Sequence, residues 1–529
     1  MNMASTTQTT SQALAFRDYT FLGTTQSLCP DCLGVVPAKI IECSGRVYFQ
    51  KRCAEHGERE DFVCSDAAWF DRTDYSLPGK VPHQFGIEPR RGCPYDCGVC
   101  TDHEQHTCLG LVEITSSCNL ECPMCFAVSG PGGIHLSLKD CQRAIDRLVE
   151  VEGRPEIVQL SGGEPTIHPQ FMEVVRYATG QPIDIVMINT NGIRLANDRA
   201  LIDELVEVGH RVEIYLQMDS FSDDGSRTLR GEPLTETKLR AIERLGEAGL
   251  RTTLVSTVQP GVNDHELGRL VTFASERSWV TGVSFQPATY CGRHVLPEEL
   301  ERRITFPDII KGICEQTDGA WRESDFSPLP CAHPNAHTLS YAYRSGNALI
   351  PLARFVDLKN HLDLLSGRIT FNRERAGKLV AEYLSRLGCG PAGCGDGVAE
   401  MTEEKFRRKT ATNDAQGGLV EDSSVPEAVA EEFFERAIVE DLSPEDVFRI
   451  TTTTFMDAYN FDIRQLMKSC VHHVLPSGHI IPFSAYNVLY RDGHVELPPL
   501  TAGGIAGSDV AQRQRTPSRL QELPVVNHP

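Results

Sequence analysis

Three cysteines within eight residues, Cys118-Asn119-Leu120-Glu121-Cys122-Pro123-Met124-Cys125, constrain this chain more than any other stretch. Their spacing is C-x3-C-x2-C. The run just before them, Leu109-Gly110-Leu111-Val112-Glu113-Ile114-Thr115, reads as a strand. The thiols therefore fall at the carboxyl end of a strand, where α/β folds place their chemistry. A cubane iron–sulfur cluster has four irons and is normally held by four thiolates. Three thiolates from one loop leave one iron open to another ligand. A zinc knuckle is the rival reading, and the sequence that follows argues against it.

The loop, with its aromatic Phe126, resembles the cluster loop of radical S-adenosylmethionine (SAM) enzymes. That resemblance implies a 4Fe-4S cluster whose open iron chelates SAM, with Cys118, Cys122 and Cys125 as catalytic metal ligands. From Leu109 to about Pro287 the pattern alternates between strand and helix. Strand-like runs are 156–160, 184–188, 212–216, 252–256 and 282–286; helical stretches are 137–150, 170–177, 198–208, 236–248 and 264–276. Ser137 and Asp264 sit where N-caps would. Such alternation implies a parallel sheet with right-handed crossovers, and six units match the partial (β/α)6 barrel of that family.

Loops after these strands carry the candidate cofactor-binding residues. Gly162, Gly163 and Glu164 form a Gly-Gly-Glu motif directly after the second strand, and glycines allow close backbone approach to a ligand. Asn191 ends the third strand, either facing the cofactor or forming a plain turn. Gln217 and Asp219 end the fourth; the carboxylate could bind ribose hydroxyls or cap the next helix. Gln286 ends the sixth, near where the family contacts adenine or substrate.

Other cysteines suggest further metals. Cys29, Cys32 and Cys53, with His56 or Cys64 as fourth donor, read as a tetrahedral site for zinc or a rubredoxin-like iron; His56 is preferred because Cys-x2-His repeats the knuckle spacing. Two β-like runs around Ser44-Gly45 read as a hairpin within the same module. Cys93, Cys97 and Cys100 repeat C-x3-C-x2-C without a preceding strand or a following β/α series. They suit an auxiliary cluster, closed by Cys108 or by a distant cysteine such as Cys331, or else a zinc knuckle. Cys389, Cys394 and Cys470 could hold a third cluster.

The expected organisation is an α/β protein. It has a flexible N-terminus (1–27), a rubredoxin or zinc-ribbon-like module (28–90), an auxiliary iron–sulfur loop (91–108) and a partial radical SAM barrel (109–330). A post-barrel cluster-binding segment (331–401), a linker (402–427), a C-terminal module (428–494) and a disordered tail (495–529) follow. The serial order of the cysteine motifs, with Leu329-Pro330-Cys331-Ala332-His333-Pro334 and Pro482-Phe483-Ser484-Ala485-Tyr486-Asn487, is similar to the archaeal tetraether lipid synthase group, also described as dihydropterin methylases, and their bacterial relatives. The resemblance implies carbon–carbon bond formation at unactivated carbons, by coupling lipid (acyl or isoprenoid) chains or, alternatively, by methylating a pterin or similar small molecule. A non-catalytic iron–sulfur or zinc scaffold is the reading from a different class. One departure is Ser484, where a cysteine is expected in such enzymes.

A net charge of −21 argues against a basic nucleic-acid interface or a polybasic membrane anchor. No run of about 18 apolar residues suggests a transmembrane helix, though peripheral access to membrane lipid stays open. Nineteen cysteines without a visible export signal read as metal ligands in a cytoplasmic, oxygen-sensitive protein. The expected partners are a small-molecule or lipid substrate and a reductant such as flavodoxin or ferredoxin.

Overall fold

The computed structural model describes residues 17–346, 348–365, 373–387, 427–439 and 441–515. An antiparallel sheet comes first: β1 (Thr20–Leu28), β2 (Val35–Cys43), β3 (Arg46–Cys53) and β4 (Gly57–Cys64) pair in sequence order. The expected hairpin joins β2 to β3, with Cys43 opposite Arg46. Ser44 and Gly45 both take positive φ, 54° and 80°, the twist that a two-residue hairpin turn requires. β1 corrects the expectation of flexibility over residues 20–27, while residues 1–16 lie outside the described residues. Besides its pairing with β2, β1 makes a remote contact: Thr25 Oγ1 donates to Asp462 Oδ1 at 2.6 Å, which no local pattern announces. Lys51 anchors the same module, donating to the carbonyls of Leu28, Ala458 and Tyr459 and pairing with buried Asp61 at 2.9 Å.

After the short β5 (Gln84–Phe85), the expected barrel strands form. β6 (Leu109–Thr115), β7 (Ile157–Gly162), β8 (Ile185–Thr190), β9 (Val212–Gln217), β10 (Thr252–Val258) and β11 (Val280–Pro287) are parallel neighbours in sequence order. Helices α1 (Leu138–Glu152), α2 (Phe171–Gly180), α3 (Ile193–Asn197), α4 (Arg199–Val208), α5 (Asp223–Arg230), α6 (Thr235–Glu247) and α7 (Leu267–Ser275) connect them. In α1, Ser137 Oγ accepts from Asp140 N at 3.2 Å, the predicted cap. The helix then buries Cys141, Ala144, Ile145, Leu148 and Val151, one stripe at 3.6-residue period. Each of the larger three contributes roughly 1.5–3 kcal/mol through burial. Asp264 does not cap a helix; it opens a 3-10 turn, and its carboxylate accepts from Gly261 N at 3.1 Å. Neither α3 nor α5 was expected, because both are short.

The larger correction concerns the sheet edges. Later strands are β12 (Ser327–Pro328), β13 (His337–Ser345), β14 (Ala348–Pro351), β15 (Val447–Thr453), β16 (Val471–Val474), β17 (Ile480–Pro482) and β18 (Ile505–Ala506). β15 joins β11 in parallel, and β16 joins β6 in parallel. The six barrel strands are thus flanked on both sides by strands from the expected C-terminal module, so residues 428–494 are not a separate body. Unpaired strand edges carry a row of unmet N–H and C=O groups, and β15 and β16 meet them. β13 and β17 then add antiparallel outer edges. The expected disordered tail is corrected as far as residue 515, where Ile505 pairs with Phe85 and Gly507–Arg515 form a helix; residues 516–529 lie outside the described residues. Among the described residues, no helix is long and apolar enough to cross a membrane.

Candidate active site

The carboxyl ends of the six parallel strands converge on a cavity of about 120 Å³. Cys118, Cys122 and Cys125 enter it from the loop after β6, and among the described residues they are the only cysteines in its lining. The structure thereby brings the three predicted ligands to one cavity with no fourth thiol from the described residues in its lining. Cys118 and Cys122 are buried, and Cys125 is half-buried. Burial pushes the Cys118 thiol up to about 12 and raises that of Cys122 as well. Buried thiolates require a compensating cation, which a bound cluster provides.

Gly162 and Gly163 line the cavity from β7. Gly163 N donates to Thr115 O at 2.8 Å, and Glu164 N donates to Ser117 O at 2.9 Å. These bonds hold the glycine loop against the cysteine loop. A Cβ at Gly163 would stand 2.1 Å from Ser117 O and 3.1 Å from Cys118 Cβ, so only glycine fits. Glu164 faces elsewhere. One of its oxygens accepts from Thr166 Oγ1 at 2.6 Å and Thr190 Oγ1 at 2.7 Å, and the other accepts from Asn191 N at 2.7 Å. The carboxylate staples the end of β7 to the end of β8 and is absent from the cavity lining, against its expected cofactor contact.

Asn191 does line the cavity, and its Nδ2 donates to Asn119 Oδ1 at 2.6 Å, tying β8 to the cysteine loop. Gln217 lines it from β9 and Gln286 from β11. Gln286 Nε2 donates to Tyr215 OH at 3.3 Å, and that hydroxyl donates to Ser284 Oγ at 2.8 Å. Asp219 is displaced from the expected ribose contact. Its two oxygens accept from Arg230 Nε and Nη2, each at 2.7 Å, and one also accepts from Thr257 N at 2.9 Å. Burial works against the Asp219 charge, but the Arg230 guanidinium holds its carboxyl below the usual range.

Arg230 is the residue that sequence reading missed. It lines the cavity from the end of α5, held by Asp219, and its charge acts on the adjacent Cys122 thiol against the upward push of burial. Lys238 was missed too: its Nζ donates to Asn191 O at 2.5 Å, and burial brings its ammonium down to about 8. Phe126, Phe455 and Phe483 complete one wall. Phe455 and Phe483 stack at 3.8 Å between centroids, and Phe126 meets Phe483 edge-on at 4.9 Å. Phe126 and Phe483 are remote in sequence, so no local signal could have paired them.

Nine of the other described thiols form three sets. In the N-terminal sheet, the donor atoms of Cys29, Cys32, Cys53 and His56 all lie within 4.8 Å of one another. A tetrahedral ion with metal–sulfur bonds of ~2.3 Å spaces its donors by roughly 3.8 Å, so this set fits one ion. Cys64 is buried elsewhere, its Sγ 3.4 Å from Asp66 O. Backbone amides of His56 and Glu55, with the His56 side chain, bring the Cys53 thiol down to about 6, close to the metal-binding form. Cys93, Cys97 and Cys100 also converge, around a small pocket of about 20 Å³ walled by His103, Leu466, Met467 and Pro482. Cys108 and Cys331 do not join them there, contrary to expectation. Instead Cys108, Cys331 and Cys470 meet in one buried cluster, with the Cys108 thiol in side-chain contact with both others. Cys470 was expected beside Cys389 and Cys394, which lie outside the described residues. Ser484 Oγ accepts from Met456 N at 2.9 Å and is a structural contact.

Known proteins share these features. Residues 112–274 match the Radical SAM superfamily, and residues 21–65 match the HMPTM N-terminal zinc ribbon domain. The 7,8-dihydro-6-hydroxymethylpterin dimethyltransferase of Methanocaldococcus jannaschii is 32% identical over 502 residues, covering 88% of this chain and 94% of that protein. Mycofactocin maturase MftC of Mycobacterium ulcerans is 33% identical over 166 residues, covering 31% of this chain and 42% of MftC. Among solved structures, Streptococcus suis SuiB bound to S-adenosylmethionine aligns with a TM-score of 0.33 and 15% identity, over 40% of this chain and 47% of SuiB.

Proposed function

From the premise that this chain belongs to the radical SAM superfamily, in the family of the 7,8-dihydro-6-hydroxymethylpterin dimethyltransferase, we propose that it methylates a pterin-type heterocycle. Cys118, Cys122 and Cys125 would hold the 4Fe-4S cluster, and the loop at Gly162 and Gly163 would receive SAM. When bound, these two supply reductive cleavage of the sulfonium and hydrogen-atom abstraction from carbon. The chain's own residues do the rest. Arg230, fixed by Asp219, sets a permanent positive charge beside Cys122. Asn191 holds the cysteine loop in register with β8. Phe126, Phe455 and Phe483 keep water from the reacting atoms and offer a flat face.

The observation that carries this reading is the lining of the cavity. The lining combines the aromatic rings of Phe126, Phe455 and Phe483 with the amides of Asn189, Asn191, Gln217 and Gln286 and the hydroxyl of Thr257. A pterin has both a flat π-face for the wall and ring amides for the polar side. A coupled lipid chain would need a long apolar tunnel. The ribbon and the second three-thiol pocket suit a zinc or iron ion and an auxiliary cluster. A flavodoxin or ferredoxin would supply electrons in a cytoplasmic setting.

The test is anaerobic turnover with SAM and reductant, offering 7,8-dihydro-6-hydroxymethylpterin or a long acyl or isoprenoid lipid. Pterin-dependent 5′-deoxyadenosine is expected, and a methylated pterin by mass spectrometry once a one-carbon donor, a second SAM or a methylene-bearing pterin, is supplied to provide the added carbon. Stimulation by the lipid alone would replace this reading with chain coupling.

A further inference from the structure

Among the described residues, two buried side-chain polar atoms of the cavity lining have no hydrogen-bond partner: Ser129 Oγ and Asn189 Oδ1. Ser129 belongs to the loop after Cys125, beside the space of the cluster and SAM. Asn189 stands elsewhere. On β8, Val186 and Ile188 are buried in the core with the helices, so Asn189 takes the opposite face, toward the barrel interior. It lies two residues before Asn191, about 6.6 Å deeper along the strand.

The groups around it are already engaged. Asn189 Nδ2 donates to Ser161 Oγ at 3.2 Å, which leaves the oxygen as the open end of the carboxamide. Asn189 pairs in register with Tyr215 of β9. That phenol donates its one hydrogen to Ser284 Oγ at 2.8 Å and accepts from Gln286 Nε2 at 3.3 Å, so it has none to give Asn189. Nearby carboxylates are spent on the protein, Glu164 on Thr166, Thr190 and Asn191 N, and Asp219 on Arg230 and Thr257 N. An amide oxygen taken from water and left unmet costs free energy that a ligand N–H returns.

We propose that Asn189 is a specificity-determining residue for the substrate, its Oδ1 accepting from a ring N–H of a neutral heterocycle. In a pterin that donor is the lactam N3–H. The inference rests on the pterin reading above and adds which edge of the ring is read. An apolar chain carries no such hydrogen. A carboxamide suits a neutral lactam, because it supplies an acceptor without burying a further charge. A site built around a hydrogen bond rejects the analogue lacking its partner far more strongly than a site that only fits the shape.

The test is equilibrium binding to the reconstituted full chain under anaerobic conditions, with SAM present and reductant withheld so that nothing turns over. The probes are 7,8-dihydro-6-hydroxymethylpterin and its N3-methyl analogue, each titrated into the parent, Asn189→Leu and Asn189→Asp. The parent should prefer the N3–H pterin by at least about tenfold. Asn189→Leu, close to asparagine in size, should weaken that pterin about tenfold and hold the analogue within about threefold, erasing the preference. Asn189→Asp keeps an acceptor and should preserve it. SAM affinity by calorimetry should stay within about threefold in both variants, which also reports that they fold. Equal weakening of both pterins, loss of the preference in Asn189→Asp, no preference in the parent, or about a tenfold loss of SAM affinity in Asn189→Leu overturns the role of Asn189 and leaves the pterin reading standing. A parent that binds neither pterin removes that reading, and this inference falls with it.

Discussion

The two C-x3-C-x2-C loops share a spacing and little else. The Cys118 loop follows β6 and opens into the cavity formed by successive strand ends, with glycines, amides and a fixed guanidinium around it. The Cys93 loop follows no strand of the barrel and is closed in by Leu466, Met467 and Pro482. Within it, Asp96 accepts from Arg90 N at 2.7 Å and Gly92 N at 3.0 Å, so the turn is shaped by its own carboxylate. Ligand spacing therefore says that three sulfurs can meet; the surroundings say whether anything else can reach them. An open site suits a cofactor that must be approached, and a closed site suits electron relay or structure.

The sharpest way to break this contrast is one substitution in each loop. Cys122→Ala should reduce 5′-deoxyadenosine formation to background, whereas Cys97→Ala should leave the SAM dissociation constant within roughly threefold, as expected for separated sites; equal loss in both, by calorimetry and product assay, would erase the distinction. Next in size, Asp219→Asn strands the buried Arg230 charge. Removing one partner of a buried pair costs about 3–5 kcal/mol, visible as an earlier chemical-denaturation midpoint, and SAM binding should weaken with it. Gly163→Ala forces a Cβ into Ser117 O, an overpacking worth ~1–3 kcal/mol that should raise the KM for SAM without removing the cluster's visible absorbance.

The smallest effect concerns Lys238. Burial lowers its ammonium to about 8, below the ordinary lysine value of ~10.4. Between those values the unfolded chain binds more protons than the folded one, so stability attributable to this group rises with pH across that window. Lys238→Met should flatten that part of the stability profile, measured by anaerobic denaturation at successive pH values.

The barrel was legible because each of its strands is a short apolar run followed by an amphipathic helix, a pattern confined to neighbours in sequence. The SAM-facing loops were legible for the same reason, since each follows its strand directly. Lipid coupling, the first expectation, rested on motif order alone, and the full-length pterin relative favours the alternative. Roles of single polar residues were harder to read. Asp219 and Glu164 stand where cofactor contacts were expected, yet one holds Arg230 and the other holds Thr166 and Thr190. A carboxylate at a strand end looks the same in sequence whether it meets a ligand or a neighbour. The meeting of Cys108, Cys331 and Cys470 was hidden because it depends on β16 lying beside β6, a parallel pairing between segments far apart in the chain.

That pairing has a consequence for synthesis. The ribosome releases β6 early and β16 late, so one flank of the nascent barrel waits unprotected while most of the polypeptide is still being made. Chains that stop before Cys470 would carry a bare, adhesive border, with two of the three buried sulfurs lacking their companion. Premature termination products should accordingly be recovered as aggregates.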